Sequence, residues 1–254
     1  DGDAVAVHFG CRKIDFKPDT GFWLNGRNVR LVGAARHQDR AGLGNALTAA
    51  EHQEDMQILR DMGANTVRLA HYQHAQYFYD LCDKYGLVAW AEIPYITEHM
   101  PEATANTLSQ MEELVTQNYN HPSIICWGLS NEITVTTGVT ENLTANHRLL
   151  NDLCHRLDST RPTTMAHAFM LDPNDPFVQL PDICSYNLYY GWYLGELQQN
   201  DEFFDTFHKN HPDRVIGLSE FGADANPAYQ SARPERGDWS ESYQAVYHEH
   251  MLKM

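Results

Sequence analysis

The sequence has few basic residues for its length and no stretch that is apolar enough for a transmembrane helix. Across 254 residues, 18 lysines and arginines face 34 aspartates and glutamates, which gives a formal net charge of −16 at pH 7. Nucleic-acid-binding domains carry clustered positive charge, and a membrane-spanning helix needs about 20 consecutive apolar residues. We therefore expect no nucleic-acid partner and no membrane segment.

Cysteine is also scarce, and the common cofactor motifs are missing. The five cysteines form no C-x-x-C pair, and four of them lie within apolar patterns. This favours reduced, buried thiols over disulfides or a zinc site, so we expect a reducing, cytoplasmic location. No G-x-G-x-x-G, Walker or H-E-x-x-H sequence occurs, which disfavours a dinucleotide-binding sheet and a zinc hydrolase and predicts no cofactor.

What the sequence does contain is a regular alternation of strand and helix patterns. Short apolar segments are separated by segments with apolar residues at helical spacing. The apolar segments cover residues 29–37, 65–70, 87–93, 124–132, 163–169, 182–188 and 215–221. Because they are apolar throughout and carry polar residues at their carboxyl ends, they predict a (β/α)8 TIM barrel, truncated before its eighth strand, rather than an open sheet.

Local signals support this organisation at the beginning of the chain. Turn residues at 17–21 and Asn25-Gly26 flank the apolar residues 22–24, which predicts a short N-terminal β-hairpin that acts as a lid. Thr48 and Glu51 have the spacing of a capping box, which predicts that the first helix of the barrel begins there.

Two of the predicted strands end in a glutamate. Residues 124–132 run into Asn131-Glu132, and residues 215–221 run into Ser219-Glu220. In a barrel both carboxylates face one cup, where one can protonate the leaving oxygen of a glycoside and the other can meet the oxocarbenium-like carbon. Taken alone, either glutamate is equally compatible with capping its strand or pairing with an arginine.

Other side chains at the strand ends suit the recognition of a sugar, because they offer hydrogen bonds to hydroxyls or flat faces for a pyranose ring. They are His37, His71, Asn131, Asn187, Tyr189 and Trp192. Asn131 is placed to donate to a hydroxyl next to the reacting carbon, an interaction that can strengthen in the transition state.

Four motifs, in order along the chain, resemble the catalytic barrel of glycoside hydrolase family 2. They are NTVRLAHY at 65–72, YDLCDKYGL at 79–87, HPSIICWGLSNE at 121–132 and SEFG at 219–222. The resemblance implies a retaining β-glycosidase in which Glu132 is the acid/base and Glu220 is the nucleophile, with carboxyl groups about 5 Å apart. It also implies that His37, His71, Asn187, Tyr189 and Tyr193 line the sugar subsite.

Within the family, the sequence looks most like bacterial β-galactosidases, with β-glucuronidases as the alternative. Residues 71–100 and 226–249 favour a galactosidase, whereas residues 187–193 are also close to the glucuronidase version. Arg36 and Arg40, after the first strand, are in principle able to meet a uronate carboxylate. A carbohydrate-binding barrel that has lost catalysis is a further alternative.

The resemblance also implies that this chain is part of a larger enzyme. Residues 1–10 are expected to be the exit from an immunoglobulin-like domain, and residues 11–254 the incomplete barrel. The missing parts are then an N-terminal sandwich domain, that immunoglobulin-like domain and a C-terminal strand, and the enzyme is a possible homo-oligomer. On this reading the fragment alone hydrolyses its β-galactoside or other β-glycoside poorly.

Magnesium is the metal that the resemblance raises. Large bacterial galactosidases bind it through a Glu-x-His after the third strand, whereas the counterpart here is Ile96-Thr97-Glu98. Glu98 and His99 are nearby but shifted in register. The sequence therefore predicts no metal, with Glu98 and His99 as the only candidate ligands.

Overall fold

The structure is a computed structural model that describes residues 2–254. A small antiparallel sheet comes first, with strands β1 (Ile14–Lys17), β2 (Gly21–Leu24) and β3 (Arg27–Asn28). Asn25 and Gly26 have positive φ angles of 52° and 78° and form the turn between β2 and β3. This backbone matches the twist of a tight hairpin, so the predicted N-terminal hairpin is confirmed.

The second sheet has seven parallel strands in chain order, as the alternating pattern predicted. They are β4 (Gly33–Arg36), β5 (Thr66–Leu69), β6 (Val88–Glu92), β7 (Ile124–Asn131), β8 (Thr163–Ala168), β9 (Ile183–Asn187) and β10 (Val215–Glu220). The sheet curls into the wall of a TIM barrel, which confirms the predicted fold class. Its edge strands, β4 and β10, do not pair with each other within the described residues.

Within residues 2–254, six α-helices cover the outside of this sheet. They are α1 (Ala49–Asp61), α2 (Gln76–Tyr85), α3 (Thr104–Asn118), α4 (Glu141–Leu157), α5 (Gln199–Asn210) and α6 (Glu241–Lys253). The capping box at the start of α1 is confirmed, because Thr48 accepts a bond from the first turn and Glu51 accepts one from the Thr48 N–H. None of the helices in residues 2–254 is long and apolar enough to cross a membrane.

The main core lies between the sheet and the first four helices. Strand β7 is buried along its whole length, and Trp127 at its centre is fully buried in the same apolar cluster as Met111 of α3 and Leu150 of α4. The Trp127 indole N–H donates to Asp158 Oδ2 over 3.0 Å, so this large side chain is buried without an unpaired polar atom.

The small N-terminal sheet packs against the amino-terminal ends of the parallel strands. Phe22 shares an apolar cluster with Val88, at the start of β6, and with Ile125 and Cys126, near the start of β7. The predicted lid therefore closes the end of the barrel that lies opposite to the carboxyl ends of the strands. The cup formed by those carboxyl ends is left uncovered by this sheet.

Candidate active site

Charged and polar side chains converge at the carboxyl ends of the parallel strands. Arg68 comes from β5, Glu92 from β6, Asn131 from β7, Asn187 from β9 and Glu220 from β10. Hydrogen bonds connect them across the barrel, and the longest-range one joins residues 152 positions apart in sequence. The cup expected from the sequence is therefore a single interconnected group of side chains.

Two irregularities in the sheet aim the glutamates. The pairing of β7 with β8 shifts between Gly128 and Asn131, and the pairing of β10 with β9 shifts between Leu218 and Glu220. A bulge re-aims the side chains that follow it. Ser130 bonds outward to His147 on α4, while its neighbour Asn131 contacts Arg68 inside the barrel.

Glu220 has both carboxylate oxygens fixed by donors. Arg68 Nη1 donates to Oε1 over 2.7 Å, and the Tyr189 hydroxyl donates to Oε2 over 2.7 Å. His71 Nε2 lies 3.7 Å from the same Oε1. Both oxygens of Glu220 therefore act as hydrogen-bond acceptors, and one of the two donors is a cation. Burial, together with the charge of Glu220, raises the pKa of the Tyr189 hydroxyl, so this group remains a donor.

Glu132 has different surroundings. Its Oε1 accepts a hydrogen bond of 3.1 Å from Asn187 Nδ2, and no salt bridge to it forms within residues 2–254. Burial raises the pKa of Glu132, and the nearby charge of Glu220 raises it further, while the Asn187 hydrogen bond acts in the opposite direction. Two carboxyl groups with such different environments are the arrangement that divides acid and nucleophile roles.

Asn187 links the two halves of the site. Its amide nitrogen donates to Glu132 Oε1 and, over 3.2 Å, to Asn131 Oδ1. Its amide oxygen accepts a 2.7 Å hydrogen bond from Ser219, the residue before Glu220. The amide orientation is thus determined on both sides, and Glu132 is connected through Asn187 to the strand that carries Glu220.

Arg68 and Glu92 are members of this group that the motif analysis did not single out. Arg68 Nε and Nη2 donate to Glu92 over 2.8 and 3.0 Å, and Nη2 also donates to Asn131 over 2.9 Å. Burial alone would raise the pKa of Glu92, but the Arg68 charge and the hydrogen bonds from His71 and Arg68 hold it below the usual range. The available signal was a charged residue inside each of two otherwise apolar strands.

The other predicted sugar-binding residues lie around this group. His37 is exposed, and its ring lies edge-on to His71 with 5.1 Å between centroids. Tyr193 is 68% exposed and packs against Tyr189 at 4.9 Å. Trp192 is only 8% exposed and packs in a cluster with Tyr243. The structure thus brings His71, Asn131, Asn187 and Tyr189 to the glutamates, with His37 and Tyr193 at the rim and Trp192 buried.

The two candidate metal ligands do not come together. Glu98 is exposed, whereas His99 is buried with one ring nitrogen bonded to the Tyr95 hydroxyl and the other to Asn142. Both nitrogens of His99 are therefore already used, and the pair does not fit a magnesium site, which needs several oxygen ligands around one point.

A cup with paired carboxyl groups at the strand ends of a TIM barrel is the type of site that glycosidases use. The family model described as "Glycosyl hydrolases family 2, TIM barrel domain" matches residues 17–253. The chain belongs to glycosyl hydrolase family 2.

Similar proteins are mostly named β-glucuronidases. A β-glucuronidase from Bacteroides fragilis is 41% identical over 97% of this chain, which covers 36% of that protein. A β-galactosidase from Thermoanaerobacterium thermosulfurigenes is 36% identical over 61% of the chain and 21% of its own length. The chain spans about a third of the length of several of the curated relatives that it matches.

Solved structures agree with this picture. An FMN-binding β-glucuronidase from Faecalibacterium prausnitzii superposes with a TM-score of 0.94 at 45% identity, covering 96% of this chain and 38% of that one. β-Glucuronidase 2 from Bacteroides uniformis, covalently bound to cyclophellitol-6-carboxylate aziridine, gives a TM-score of 0.91 at 38% identity, with coverages of 95% and 30%.

Proposed function

We propose that this chain is the catalytic barrel of a retaining exo-β-glycosidase that acts by double displacement. The observation that carries the proposal is the contrast between the two glutamates. Glu220 accepts hydrogen bonds from Arg68 and Tyr189 on its two oxygens, whereas Glu132 is half-buried, has a raised pKa and forms no salt bridge within residues 2–254.

In the proposed first step, protonated Glu132 gives its proton to the glycosidic oxygen while a Glu220 oxygen attacks the anomeric carbon. The bond to the aglycone breaks, the aglycone leaves as an alcohol, and an ester joins the sugar to Glu220. In the second step the Glu132 carboxylate takes a proton from water, whose oxygen attacks the same carbon. The ester bond breaks, and both glutamates return to their starting states with the configuration retained.

The remaining residues of the cup would bind the sugar. Asn131 is held by Arg68 and Asn187 and is placed beside Glu132, which supports a hydrogen bond to the hydroxyl next to the reacting carbon. His37 and Tyr193 are exposed at the rim and would contact the outer part of the sugar ring or the aglycone.

For the substrate we propose a β-glucuronide first. The names of most of the relatives found support it, and they do so more strongly than the motif comparison that favoured a β-galactoside. A β-galactoside remains the second candidate because of one observation. Arg36 is bound to Asp55, and Arg40 is bound to Glu54 and Asp55, so these two arginines are already paired with carboxylates of α1.

The test is a panel of aryl β-glucuronide, β-galactoside and β-mannoside substrates, assayed on the longest polypeptide that contains this chain. Turnover of the glucuronide at least tenfold faster than of the galactoside is expected. Glu220→Gln should abolish turnover of every substrate. Glu132→Gln should slow substrates with poor leaving groups much more than those with good ones, because only the former need the acid.

Glu98→Gln is the control, since Glu98 is an exposed carboxylate whose side chain forms no hydrogen bond or salt bridge within residues 2–254. It should leave all rates unchanged. Equal losses on good and poor leaving groups in Glu132→Gln would contradict the assignment of Glu132. Sugar binding without release of product by the wild-type protein would instead favour a carbohydrate-binding barrel.

A further inference from the structure

Glu92 is a buried carboxylate that touches neither glutamate of the proposed mechanism. Its side chain is 1% exposed, and both oxygens are in use. Oε2 accepts from Arg68 Nε over 2.8 Å, and Oε1 accepts from Arg68 Nη2 over 3.0 Å and from His71 Nδ1 over 2.7 Å. One carboxylate therefore holds the two basic side chains that lie nearest to Glu220.

We propose that Glu92 is a positioning residue that fixes Arg68 and His71 against Glu220, and this rests on the proposed role of Glu220 as the nucleophile. The guanidinium group is planar and rigid, so two bonds along one edge determine where its remaining nitrogen points. With Nε and Nη2 bound to Glu92, Nη1 is left directed at Glu220 Oε1 at 2.7 Å.

The same carboxylate determines the orientation of His71. An ionised carboxylate only accepts hydrogen bonds, so the 2.7 Å contact requires the hydrogen to be on His71 Nδ1. Arg68 Nη2 lies 3.3 Å from that nitrogen, but two donors do not bond to each other, so this contact does not compete. The other ring nitrogen, Nε2, is thereby turned toward Glu220 and the cup.

Glu92 also keeps the buried charge of Arg68 compensated throughout the proposed reaction. Arg68 is 5% exposed and contacts two carboxylates, Glu92 and Glu220. When Glu220 becomes an ester it loses its negative charge, and without Glu92 the guanidinium would be a buried, uncompensated cation. Because Glu92 does not react, the ion pair persists in the covalent intermediate.

The backbone beneath Glu92 is shaped for this placement. A Cβ atom on Gly128 of the neighbouring strand would lie 2.5 Å from the Glu92 Cβ and 2.5 Å from the Trp90 indole nitrogen. Only a glycine therefore leaves room for Glu92 at this depth of the barrel. The observation is independent of the hydrogen bonds and supports a fixed position for the carboxylate.

The test compares Glu92→Gln and Glu92→Asp in the longest polypeptide that contains this chain. Glutamine keeps the shape but turns an N–H toward an Arg68 donor, so kcat on an aryl β-glycoside and the rate of labelling of Glu220 by a cyclophellitol aziridine should both fall about 100-fold, with KM changed less than threefold. Glu92→Asp keeps the charge, so its kcat and its labelling rate should be at least tenfold higher than those of Glu92→Gln.

Asp158→Asn is the matched control, because Asp158 is equally buried and pairs with Arg161 at 2.6 Å outside the cup. It should alter neither kcat nor labelling per folded molecule. Rates for Glu92→Gln within threefold of the wild type, or equal losses in Asp158→Asn, would overturn the proposal. If Glu92→Gln does not fold, the deciding comparison is between Glu92→Asp and Glu92→Ala, which lacks the carboxylate. A kcat of Glu92→Asp no higher than that of Glu92→Ala would also overturn the proposal.

A crystal structure of Glu92→Gln distinguishes a failure of this proposal from a failure of the proposed function. In Glu92→Gln the Arg68 guanidinium and the His71 ring should move away from Glu220, whereas their unchanged positions would contradict a positioning role even if the wild-type protein turned over no sugar. A wild-type protein that neither hydrolyses glycosides nor reacts with the aziridine would refute the proposed function alone.

Discussion

The Tyr189 hydroxyl donates to Glu220 Oε2 over 2.7 Å, on the oxygen opposite to the one that Arg68 holds. The two donors fix the plane of the carboxylate, and one of them is uncharged. In the proposed mechanism Glu220 must be ionised and oriented yet still free to bond to carbon. A phenol donor can supply the orientation without a second full positive charge.

Tyr189→Phe should therefore reduce kcat by about 10- to 100-fold, because removing a hydrogen bond to a charged group costs about 1.5–3 kcal/mol. Steady-state kinetics on an aryl β-glycoside would measure this fall in kcat. Tyr186→Phe is the control, since that buried hydroxyl bonds to the Leu171 carbonyl away from the cup. Similar losses in both variants would show that the effect comes from packing.

The charge of Glu220 should affect the protonation of Glu132. Burial is the larger cause of the raised pKa of Glu132, and the negative charge of Glu220 adds to it. Glu220→Gln removes that charge, so the ionised form of Glu132 becomes less unfavourable and its pKa should fall. A ¹³C NMR titration of Glu132 would detect the shift, and Glu98→Gln should cause none. An upward shift in Glu220→Gln would contradict the account.

Asn187→Ala should change the same pKa in the opposite direction. Asn187 donates to Glu132 Oε1 and so stabilises its ionised form, and loss of this donor should raise the pKa of Glu132. The basic limb of the kcat/KM profile would then move to higher pH. Asn200→Ala is the control, because Asn200 is buried and bonds to backbone carbonyls of Tyr190 and Leu197. A basic limb that moved to lower pH would contradict this assignment.

The buried pair of Arg161 and Asp158 should matter for stability rather than for activity. Its side chains are 3% and 0% exposed, and Arg161 also donates to the carbonyls of Ile124, Tyr119 and His121. Arg161→Met leaves Asp158 as a buried, unpaired charge, so the free energy of unfolding should fall by about 3–5 kcal/mol. Urea denaturation would measure it.

Lys253→Ala is the comparison for that stability measurement, since Lys253 pairs with Glu249 on the surface with 73% and 66% of the side chains exposed. Exposed pairs of this kind contribute little, so its unfolding curve should match the wild type. An equally small effect of Arg161→Met would contradict the role given to the buried pair.

The positions of Glu132 and Glu220 were predictable because each ends an apolar segment, and the carboxyl ends of parallel strands meet at one face of a barrel. Their separation of about 5 Å stays a prediction. Arg68 and Glu92 were missed because apolar patterning treats a charge inside a strand as an interruption, although these two residues bond to each other over 2.8 Å.

Other features depend on tertiary packing that no local pattern carries. One example is which of the two ends of the barrel the N-terminal sheet covers. This is determined by the apolar cluster that Phe22 forms with Val88 and Ile125. The pairing of Arg36 and Arg40 with carboxylates on α1 likewise depends on how α1 docks beside β4. The sequence alone therefore left the choice between galactoside and glucuronide open, and the substrate panel addresses it.

The most direct test of the central proposal is to trap the covalent intermediate. The longest polypeptide that contains this chain would be treated with a cyclophellitol-6-carboxylate aziridine, digested and analysed by mass spectrometry. We expect the label on the peptide that contains Glu220, and no label in Glu220→Gln. A label on Glu132 in the wild-type protein, or a first product with inverted configuration by NMR, would contradict the assignment of Glu220 as the nucleophile.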